Sequence, residues 1–410
     1  MRLAFVDLFF SWPPYGGADV DLYHVASGLQ AAGHDVHVFV AACEDSWQRG
    51  AVDPATLPFP ATRLDFSPRA FNRRHVPARF REAVDRWKPD AVFLCFGFFL
   101  KPYVAEALAH YPLAARYYAY ELDCPRDFLL FKNGAVCPEN YLQSPDLCRR
   151  CALEGLRPEI ASWRFLSWGE EYIKARAFMP AYYKRLVRSL KMCKAIIVYN
   201  RIQQRNLEGV HDRVYVVPGG VNTDEFVFAP PVEKGPDGRK IILMTGRVED
   251  PLKGLQTLRE AGERLVRERS DFEIHVTHTD RSLSDERFKA IGWHDHAAIM
   301  KLYQHADLCV VPSIWEEPFG LVAVEAMASG RPVCVSRVGG LQDIVAHGET
   351  GFIFDPGDSA ALAGFLARLL DDGDLRKRMG ASARRRAEEE YDWKRIVAKH
   401  YLPILERLVP

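Results

Sequence analysis

The stretch EPFGLVAVE at residues 317–325 places two carboxylates eight positions apart, on either side of a proline, an aromatic residue and a glycine. Pro318 disfavours the helical conformation at Glu317, while proline itself suits the first turn of a helix. We therefore predict that Glu317 lies on a loop and that a helix begins near Gly320. Glu325 should then lie about 7 to 8 Å further along the helix axis.

The first backbone amides of this predicted helix have no partners inside it. The N–H groups of Gly320, Leu321 and Val322 should face the gap between the two acids, where the helix dipole is positive, and such a helix end binds phosphate. Ionised carboxylates accept hydrogen bonds from hydroxyl groups, so the layout suits a diphosphate flanked by hydroxyl-rich groups. A nucleotide sugar has this layout. A capped helix with a surface acid is the alternative when the pair is considered alone.

Alternating short apolar runs and helical stretches predict two parallel sheets with helices on both faces. A length of 410 residues also favours two domains over one. Ligands of such sheets lie beyond the carboxyl ends of the strands, and we expect the site in the cleft between the domains. The predicted strands span residues 3–9, 36–41, 91–96, 115–120, 195–200 and 214–220 in the first set, and 240–247, 272–279, 307–313 and 332–340 in the second.

Composition excludes several classes of function. Lysine plus arginine equals aspartate plus glutamate at 54 each, so no overall positive field exists to attract nucleic acid. No apolar run approaches the roughly 20 residues that span a bilayer, and the start MRLAFVDLFF does not resemble a signal peptide. We expect a cytoplasmic chain. Nine cysteines, an odd number, argue against a disulfide framework, and we expect Cys95, Cys309 and Cys334 to be core residues.

Two cations and two glycine loops follow predicted strands. Gly246 and Arg247 end a strand, and Lys253 follows in the loop PLKGL. A guanidinium fork and a compact ammonium together suit a leaving diphosphate. Gly16 and Gly17 follow the first strand, where adjacent glycines let the backbone approach a ligand closely. The G-x-G-x-x-G fingerprint is not found there, which argues against a nicotinamide cofactor.

With these motifs in order, the chain resembles a retaining GT-B glycosyltransferase of the large bacterial family 4 type. The acidic motif carries the most specific part of the resemblance. The matching stretches are Gly16 and Gly17, Gly33 and His34, VVPGGVNTDEF at 216–226, GR at 246–247 with KG at 253–254, HADLCVVPS at 305–313, EEPFGLVAVEAMASGRPV at 316–333, and VGGLQDIVAHGETGFIF at 338–354.

The resemblance implies an α/β fold of the GT-B kind, with two Rossmann-like, doubly wound domains that face a central cleft. We predict an N-terminal acceptor-binding domain, a linker, a nucleotide-sugar-binding domain and a last helix that crosses back to the first domain. Their ranges are 1–225 with a cysteine-containing insertion at about 121–160, then 226–240, 241–390 and 391–410.

The resemblance also implies roles for the residues above. Glu317 would contact hydroxyls of the donor sugar, Glu325 the nucleotide ribose, and Arg247 and Lys253 the diphosphate. Relatives do not require a bound metal, so we expect no cofactor for catalysis. The residues predicted for catalysis are Arg247, Lys253 and Glu317, and those predicted for donor binding are Gly17, Gly246, Phe319, Gly320, Leu321, Val322 and Glu325.

One feature departs from the family pattern. Many relatives carry a histidine that reaches the donor sugar from the loop after the fourth strand of the first domain, whereas this chain reads RYYAYELDCP at 116–125. Tyr120 or Glu121 would then occupy the place on the acceptor side. A core tyrosine is the alternative for Tyr120.

Four cysteines follow within thirty residues, at Cys124, Cys137, Cys148 and Cys151. A cluster that ends in C-x-x-C predicts a structural zinc site, although the first pair lacks the tight spacing of a zinc ribbon. Reduced or redox-linked thiols are an equal alternative, and an iron–sulfur cluster is a weaker one.

The stretch 162–195 mixes aromatic and basic residues. It predicts either peripheral contact with an anionic membrane, which suits a lipid-linked acceptor, or a solvated helix face with its aromatics in the core.

The sequence thus predicts transfer of a hexose, of the mannose or glucose type, from a GDP- or UDP-linked donor to a glycan or lipid-linked acceptor in cell-surface polysaccharide biosynthesis. We expect the protein in the cytoplasm or at the inner face of the membrane. A nucleotide-sugar epimerase of related fold and a natural-product glycosyltransferase are the alternatives.

Overall fold

The computed structural model describes residues 1–44, 48–162, 165, 167–228 and 238–409. The chain forms two compact units. The first consists of Met1–Leu130, Cys137–Pro218 and Ile396–Pro410, and the second of Phe131–Val136 and Gly219–Arg395.

The first unit is built on a sheet that, within the described residues, has eight strands. All of its pairs are parallel except the one that β3 makes with β2. The order is β10-β9-β6-β5-β1-β2, with β3 and β4 both paired to β2. In chain order, and including the short hairpin β7–β8 of the second unit, the strands are β1 Arg2–Asp7, β2 Asp35–Glu44, β3 Gln48–Arg49, β4 Ala61–Phe66, β5 Ala91–Leu94, β6 Leu113–Arg116, β7 Phe131–Lys132, β8 Ala135–Val136, β9 Ala195–Val198 and β10 Val214–Val216.

Helices cover this sheet, and the strands between them are buried along their whole central length. Strands β5, β6 and β9 have every residue buried, which explains why they read as continuous apolar runs. The helices are α1 Gly17–Ala31, α2 His75–Trp87, α3 Lys101–Leu108, α4 Pro145–Ser162, α5 Ser167–Lys174, α6 Pro180–Met192 and α7 Arg201–Asn206.

The second unit contains a fully parallel sheet in the order β13-β12-β11-β14-β15-β16. Its first strand lies in the middle, so the chain reverses direction across the sheet between β11 and β14. The strands are β11 Lys240–Met244, β12 Phe272–Val276, β13 Phe288–Ala290, β14 Leu308–Val311, β15 Val333–Ser336 and β16 Gly351–Phe354. The helices are α8 Leu255–Val266, α9 His296–His305, α10 Leu321–Ala328, α11 Leu341–Ile344, α12 Ser359–Asp371 and α13 Gly373–Glu390.

The chain ends in three consecutive helical segments: α14 Trp393–Ile396, a π-helical turn Val397–Tyr401 and α15 Leu402–Leu408. Residues from Ile396 onward group with the first unit. The segment that begins at Gly219 groups with the second unit because Val221 donates to the carbonyl of Tyr391, at 2.9 Å, and Thr223 donates to Asp392. Of the predicted linker at 226–240, residues 229–237 lie outside the described residues.

The predicted strand at 115–120 is wrong in its second half, since β6 ends at Arg116. The carboxylate of Glu121 accepts hydrogen bonds from the amides of Tyr118 and Ala119, at 3.2 and 2.8 Å, which folds the chain into a turn. Across the described residues, no helix is long and apolar enough to cross a bilayer.

Candidate active site

The predicted donor site lies where the second sheet reverses its strand order. The loop after β11 carries Gly246 and Arg247, and the loop after β14 carries the acidic motif. The carboxyl ends of two strands that flank such a reversal form a natural ligand crevice. A side chain placed on Gly246 would lie 3.4 Å from the side chain of Val322, so the loop after β11 packs against the first turn of the helix that follows the acidic loop.

The helix predicted at the acidic motif is confirmed. Helix α10 begins at Leu321 with Gly320 as its N-cap, and Gly320 has φ of +122°, a conformation that only glycine adopts without strain. A side chain there would also approach Leu341 to 2.4 Å. Phe319 is buried, with its ring 6.1 Å from that of Tyr391. The first amides of α10 therefore start between Glu317 and Glu325.

Glu317 is held by three donors on one oxygen. Its Oε1 accepts from Lys253 Nζ at 2.6 Å, from Ser313 Oγ at 2.7 Å and from the indole N–H of Trp315 at 3.2 Å. Within the described part of the chain, Oε2 of Glu317 has no hydrogen bond, so this oxygen remains an acceptor for a ligand hydroxyl. Burial of Glu317 and three fixed donors make its position well defined.

Lys253 is held at its backbone and at its ammonium group, whereas Arg247 is exposed to solvent. Lys253 ends a short 3₁₀ turn that Asp250 caps, and its ammonium lies 5.1 Å from the centre of the Trp315 ring. Gly254, which follows, has φ of +77° and packs so closely on Pro312 that an added side chain would lie 1.8 Å from the Pro312 carbonyl oxygen. Arg247, by contrast, is exposed.

The backbone of the acidic loop is anchored by the two glycines that follow β15. The amide of Gly340 donates to the Glu317 carbonyl at 2.7 Å, and a side chain on Gly339 would lie 1.9 Å from that carbonyl oxygen. Glu316 accepts a hydrogen bond from the amide of Gly339. Sequence reasoning did not assign these glycines or Glu316 to the site, although the motif that contains them was recognised.

Glu325 belongs to a second polar cluster, on the other side of the helix start. Its Oε2 is 3.0 Å from the hydroxyl of Tyr303, which is 2.8 Å from Oγ1 of Thr245. Burial raises the pKa of Glu325 above its ordinary value, and the hydrogen bond from Tyr303 opposes this rise. Neither Tyr303 nor Thr245 was singled out from the sequence, because a tyrosine on an amphipathic helix resembles an ordinary core residue.

In the first unit, the glycine loop is shaped by a buried aspartate. Helix α1 begins at Gly17, and Asp19 accepts hydrogen bonds from the amides of Ser11, Tyr15 and Gly16 at 3.0, 2.9 and 3.1 Å. Gly16 and Gly17 are exposed, and a side chain on either would meet nothing within 4 Å. The loop is therefore rigid and open to solvent at its glycines.

The two candidates for the missing histidine are buried. Tyr120 has no exposed surface, and its hydroxyl accepts from Nδ2 of Asn200 at 3.2 Å. Glu121 is 8% exposed and binds the turn described above, while the nearby ammonium of Lys101 lowers its pKa against a larger rise caused by burial. These contacts favour structural roles for both residues.

Among the described residues, the four insertion cysteines are not joined by disulfide bonds. Burial, together with the neighbouring Cys124, Cys137 and Cys151, raises the pKa of Cys148 to about 12. A search of the described residues gives no group of three or more His, Cys, Asp or Glu side chains that could hold a metal ion. Zinc at this position stays a prediction from the sequence, which metal analysis of the purified protein against Cys148→Ser would test.

The basic and aromatic stretch divides into core and surface. Tyr172 and Tyr182 are buried, and Arg185 and Arg188 both pair with Glu106 at 2.9 Å. Trp163, Arg164 and Leu166 belong to the predicted stretch but lie outside the described residues. Exposed apolar side chains nevertheless occur in this stretch, namely Ile173, Phe178, Met179 and Met192, and Ile160 lies just before it.

Solved structures share this fold over almost the whole chain. Sucrose-phosphate synthase from Thermosynechococcus elongatus matches with a TM-score of 0.68 and 20% identity, covering 99% of this chain and 98% of that one. The Anabaena protein HepE, in complex with UDP-glucose, matches with a TM-score of 0.65 and 17% identity, covering 99% and 100%. The fold is therefore of the GT-B class, as predicted.

Family profiles and curated relatives agree with this class. The profile described as "Glycosyl transferases group 1" matches residues 228–386, and the "Glycosyl transferase 4-like domain" profile matches residues 16–118. One profile matches part of each unit, and together they support a GT-B glycosyltransferase of the group 1, family 4 type. Phosphatidyl-myo-inositol mannosyltransferase of Mycobacterium leprae is 32% identical over 53% of this chain and 59% of its own length. D-inositol 3-phosphate glycosyltransferase of Corynebacterium efficiens is 37% identical over 35% and 38%. The chain thus matches only part of the length of these relatives.

Proposed function

We propose that this protein is a retaining glycosyltransferase that moves a hexose, of the mannose or glucose type, from a GDP- or UDP-linked donor to a glycan or lipid-linked acceptor in cell-surface polysaccharide biosynthesis. The observation that carries the proposal is the arrangement around α10. One helix start lies between two carboxylates that have separate sets of partners, and Lys253 and Arg247 come from a neighbouring loop.

The donor would lie along this arrangement in a fixed order. Oε2 of Glu317 accepts a hydrogen bond from a hydroxyl of the sugar, and Glu325 accepts hydrogen bonds from the ribose hydroxyls. The first amides of α10 bind the diphosphate between them. Lys253 gives one hydrogen bond to Glu317, and the other hydrogens of its ammonium can bind phosphate oxygens. The complex of HepE with UDP-glucose supports a nucleotide-sugar donor for this fold.

The chemical step would occur on one face of the sugar. The bond between the anomeric carbon and the phosphate oxygen breaks, the acceptor oxygen bonds to the same face, and its proton passes to the departing phosphate. Arg247, Lys253 and the amides of α10 stabilise the charge that develops on the leaving group. These groups supply the positive charge, so we expect transfer without added magnesium.

A panel of nucleotide sugars tests the donor. A ligand at 100 times its Kd should stabilise the fold by about 2.7 kcal/mol, which a thermal shift detects. UDP-glucose, GDP-mannose and their free nucleotides form the panel, and Glu325→Ala is the matched variant that should lose the shift. If no nucleotide sugar or nucleoside diphosphate stabilises the wild-type protein, the proposal fails.

Product analysis separates the proposal from its alternatives. With the stabilising donor and an acceptor mixture, NMR of the new glycoside should show the anomeric configuration of the donor. An inverted product contradicts retention. Conversion of the donor to its epimer without any acceptor indicates the epimerase instead, and a product formed only on small aromatic or macrolide acceptors indicates the natural-product enzyme.

The lipid-linked acceptor motivates a membrane contact through the first unit. Phe178 and Met179 are 37% and 40% exposed on the connection between α5 and α6, near the exposed Ile173. Apolar side chains beside basic residues suit an anionic bilayer surface. Sedimentation with vesicles that contain phosphatidylglycerol should remove wild-type protein from solution at low salt more than at high salt. Phe178→Ser should weaken this binding, and lack of binding at low salt eliminates the contact.

A further inference from the structure

We propose that Tyr303 is a positioning residue that aims the Glu325 carboxylate at the donor ribose and thereby sets the preference of the site for ribonucleotides over deoxyribonucleotides. This inference rests on the proposed function, because it assigns a ribose to Glu325. The residue itself makes no contact with the reacting atoms.

Tyr303 lies within hydrogen-bond distance of residues on two other elements. Its hydroxyl is 3.0 Å from Oε2 of Glu325 on α10 and 2.8 Å from Oγ1 of Thr245, the residue after β11. A weaker contact, at 3.4 Å, reaches the carbonyl of Val322. The side chain of Tyr303 is completely buried, so water does not compete for these bonds.

The number of protons available decides which group donates in each of these hydrogen bonds. A phenol has one proton to donate, and an ionised carboxylate only accepts. When Tyr303 donates to Glu325, Thr245 must donate to the Tyr303 oxygen, and the chain runs from Thr245 through Tyr303 to Glu325. Within the described residues, Oε1 of Glu325 has no hydrogen-bond partner. One carboxylate oxygen is thus fixed by the protein, and the other is left to accept a ligand hydroxyl.

The tyrosine is itself held from behind. Arg331, also buried, donates from Nε to the Tyr303 carbonyl at 2.8 Å and from Nη2 to the Gln304 carbonyl at 3.2 Å. These bonds fix the carboxyl-terminal end of α9, where a cation is favourable. The ring of Phe226 lies 6.5 Å from the Tyr303 ring. A backbone and ring fixed in this way leave the hydroxyl little freedom, as a positioning role requires.

The test measures nucleotide binding by calorimetry for wild type, Tyr303→Phe and Tyr103→Phe. UDP and GDP are compared with their 2′-deoxy and 3′-deoxy forms. The phenylalanine at 303 keeps the packing but removes the bond to Glu325. Tyr103→Phe is the matched control, because that hydroxyl is also buried in a hydrogen bond, to the Ala175 carbonyl at 2.6 Å, and Tyr103 belongs to the first unit.

We expect Tyr303→Phe to weaken binding of the ribonucleotide about 10-fold, the usual effect of one lost hydrogen bond to a charged group, and the deoxynucleotides much less. The ratio between deoxy and ribo affinities should therefore fall toward one. In turnover the donor KM should rise about as much, while kcat changes less than about threefold, since ribose contacts are uniform through the reaction. Thr245→Val should shift the ratio in the same direction by a smaller factor, and it provides the test if Tyr303→Phe does not fold.

Two results overturn the inference. Equal weakening of ribo and deoxy forms means that Tyr303 acts only through packing, and an unchanged ratio in both variants means that Glu325 needs no positioning. Each leaves the proposed function intact, because wild type still binds the nucleotide. Wild-type protein that binds no nucleoside diphosphate, or does not distinguish ribose from deoxyribose, instead removes the donor assignment and the inference with it.

Discussion

The donor side of the second unit and the segment 117–130 of the first unit differ in how sequence motifs relate to contacts. In the second unit, Glu317, Lys253 and the start of α10 were chosen from the sequence and lie together in the structure. In the first unit, Tyr120 and Glu121 were chosen from position alone and are buried in structural hydrogen bonds. Spacing that local chemistry explains predicted contacts. The acceptor-side role of Tyr120 and Glu121 stays a prediction, and their hydrogen bonds favour a structural role.

Loss of the leaving-group cations should have the largest effect. Arg247→Ala and Lys253→Ala should each lower kcat by on the order of 100-fold, because each removes a preorganised charge from the departing diphosphate. Lys253→Ala also leaves Glu317 without its closest donor, at 2.6 Å. Steady-state kinetics with saturating donor measure the effect. Lys377→Ala, at a side chain 73% exposed, is the control. Near-normal turnover in both variants would contradict the assignment of Arg247 and Lys253 to the diphosphate, and with it the donor side of the comparison.

The helix start should be sensitive to a single methyl group. Gly320→Ala should lower the free energy of unfolding by about 1 to 3 kcal/mol, since alanine is strained at a φ of +122°. Gly364→Ala is the matched control, because Gly364 is exposed within α12 and an added methyl meets nothing within 4 Å. Urea denaturation should show the control to be slightly more stable than wild type. Equal stability of all three proteins would mean that the glycine at the N-cap is not required.

Buried carboxyls in the first unit should make stability depend on pH. Burial raises the pKa of Asp7 and of Asp123 to about 7, against hydrogen bonds that lower it. The folded chain therefore holds these protons when the unfolded chain has lost them, so stability should fall as pH rises from about 4 to 7 and then level off. Urea denaturation across this range measures the slope, which Asp7→Asn should reduce.

The exposed Asp53, a cap of a short 3₁₀ turn, offers the control for this slope. Asp53→Asn should leave the pH dependence of stability as in wild type. A stability that rises between pH 4 and 7 would show that ionised carboxylates dominate instead.

The smallest effect is expected at Tyr120. Tyr120→Phe removes a hydroxyl that accepts from Asn200, and should cost about 1 kcal/mol of unfolding free energy. Turnover should stay within about threefold of wild type, since a buried hydroxyl does not reach a substrate. A loss of 100-fold in kcat with unchanged stability would instead support a role for Tyr120 on the acceptor side. Position in the family pattern would then have predicted function as well as the motifs of the second unit do.

Much of the fold could be predicted because its central strands are buried on both faces and read as continuous apolar runs. Strands β3 and β13 were missed because two and three residues carry too little pattern. Strand β4, which is partly exposed, and the edge strand β16 were also missed. The helix start at Gly320 was predictable from Pro318 and from glycine itself, which are local signals.

Contacts that depend on tertiary structure could not be predicted in the same way. Tyr303 and Glu325 are 22 positions apart on different helices, and Thr245 lies 58 positions from Tyr303. Nothing in the sequence around Tyr303 distinguishes its hydroxyl from that of a core tyrosine. The motif could be found from the sequence, but the residues that hold its side chains in place could be found only from the structure.

Gly339 and Gly340 contact the main chain at Glu317, and this contact matters for protein engineering. A hydrogen bond and a close contact between backbones hold the path of the acidic loop at Glu317, and these two contacts do not depend on which side chains the loop carries. Ile314, a partly exposed residue of this loop, can then be randomised to seek new sugar preferences, while the glycines stay constant. A library built on that division should retain folded protein in most of its members.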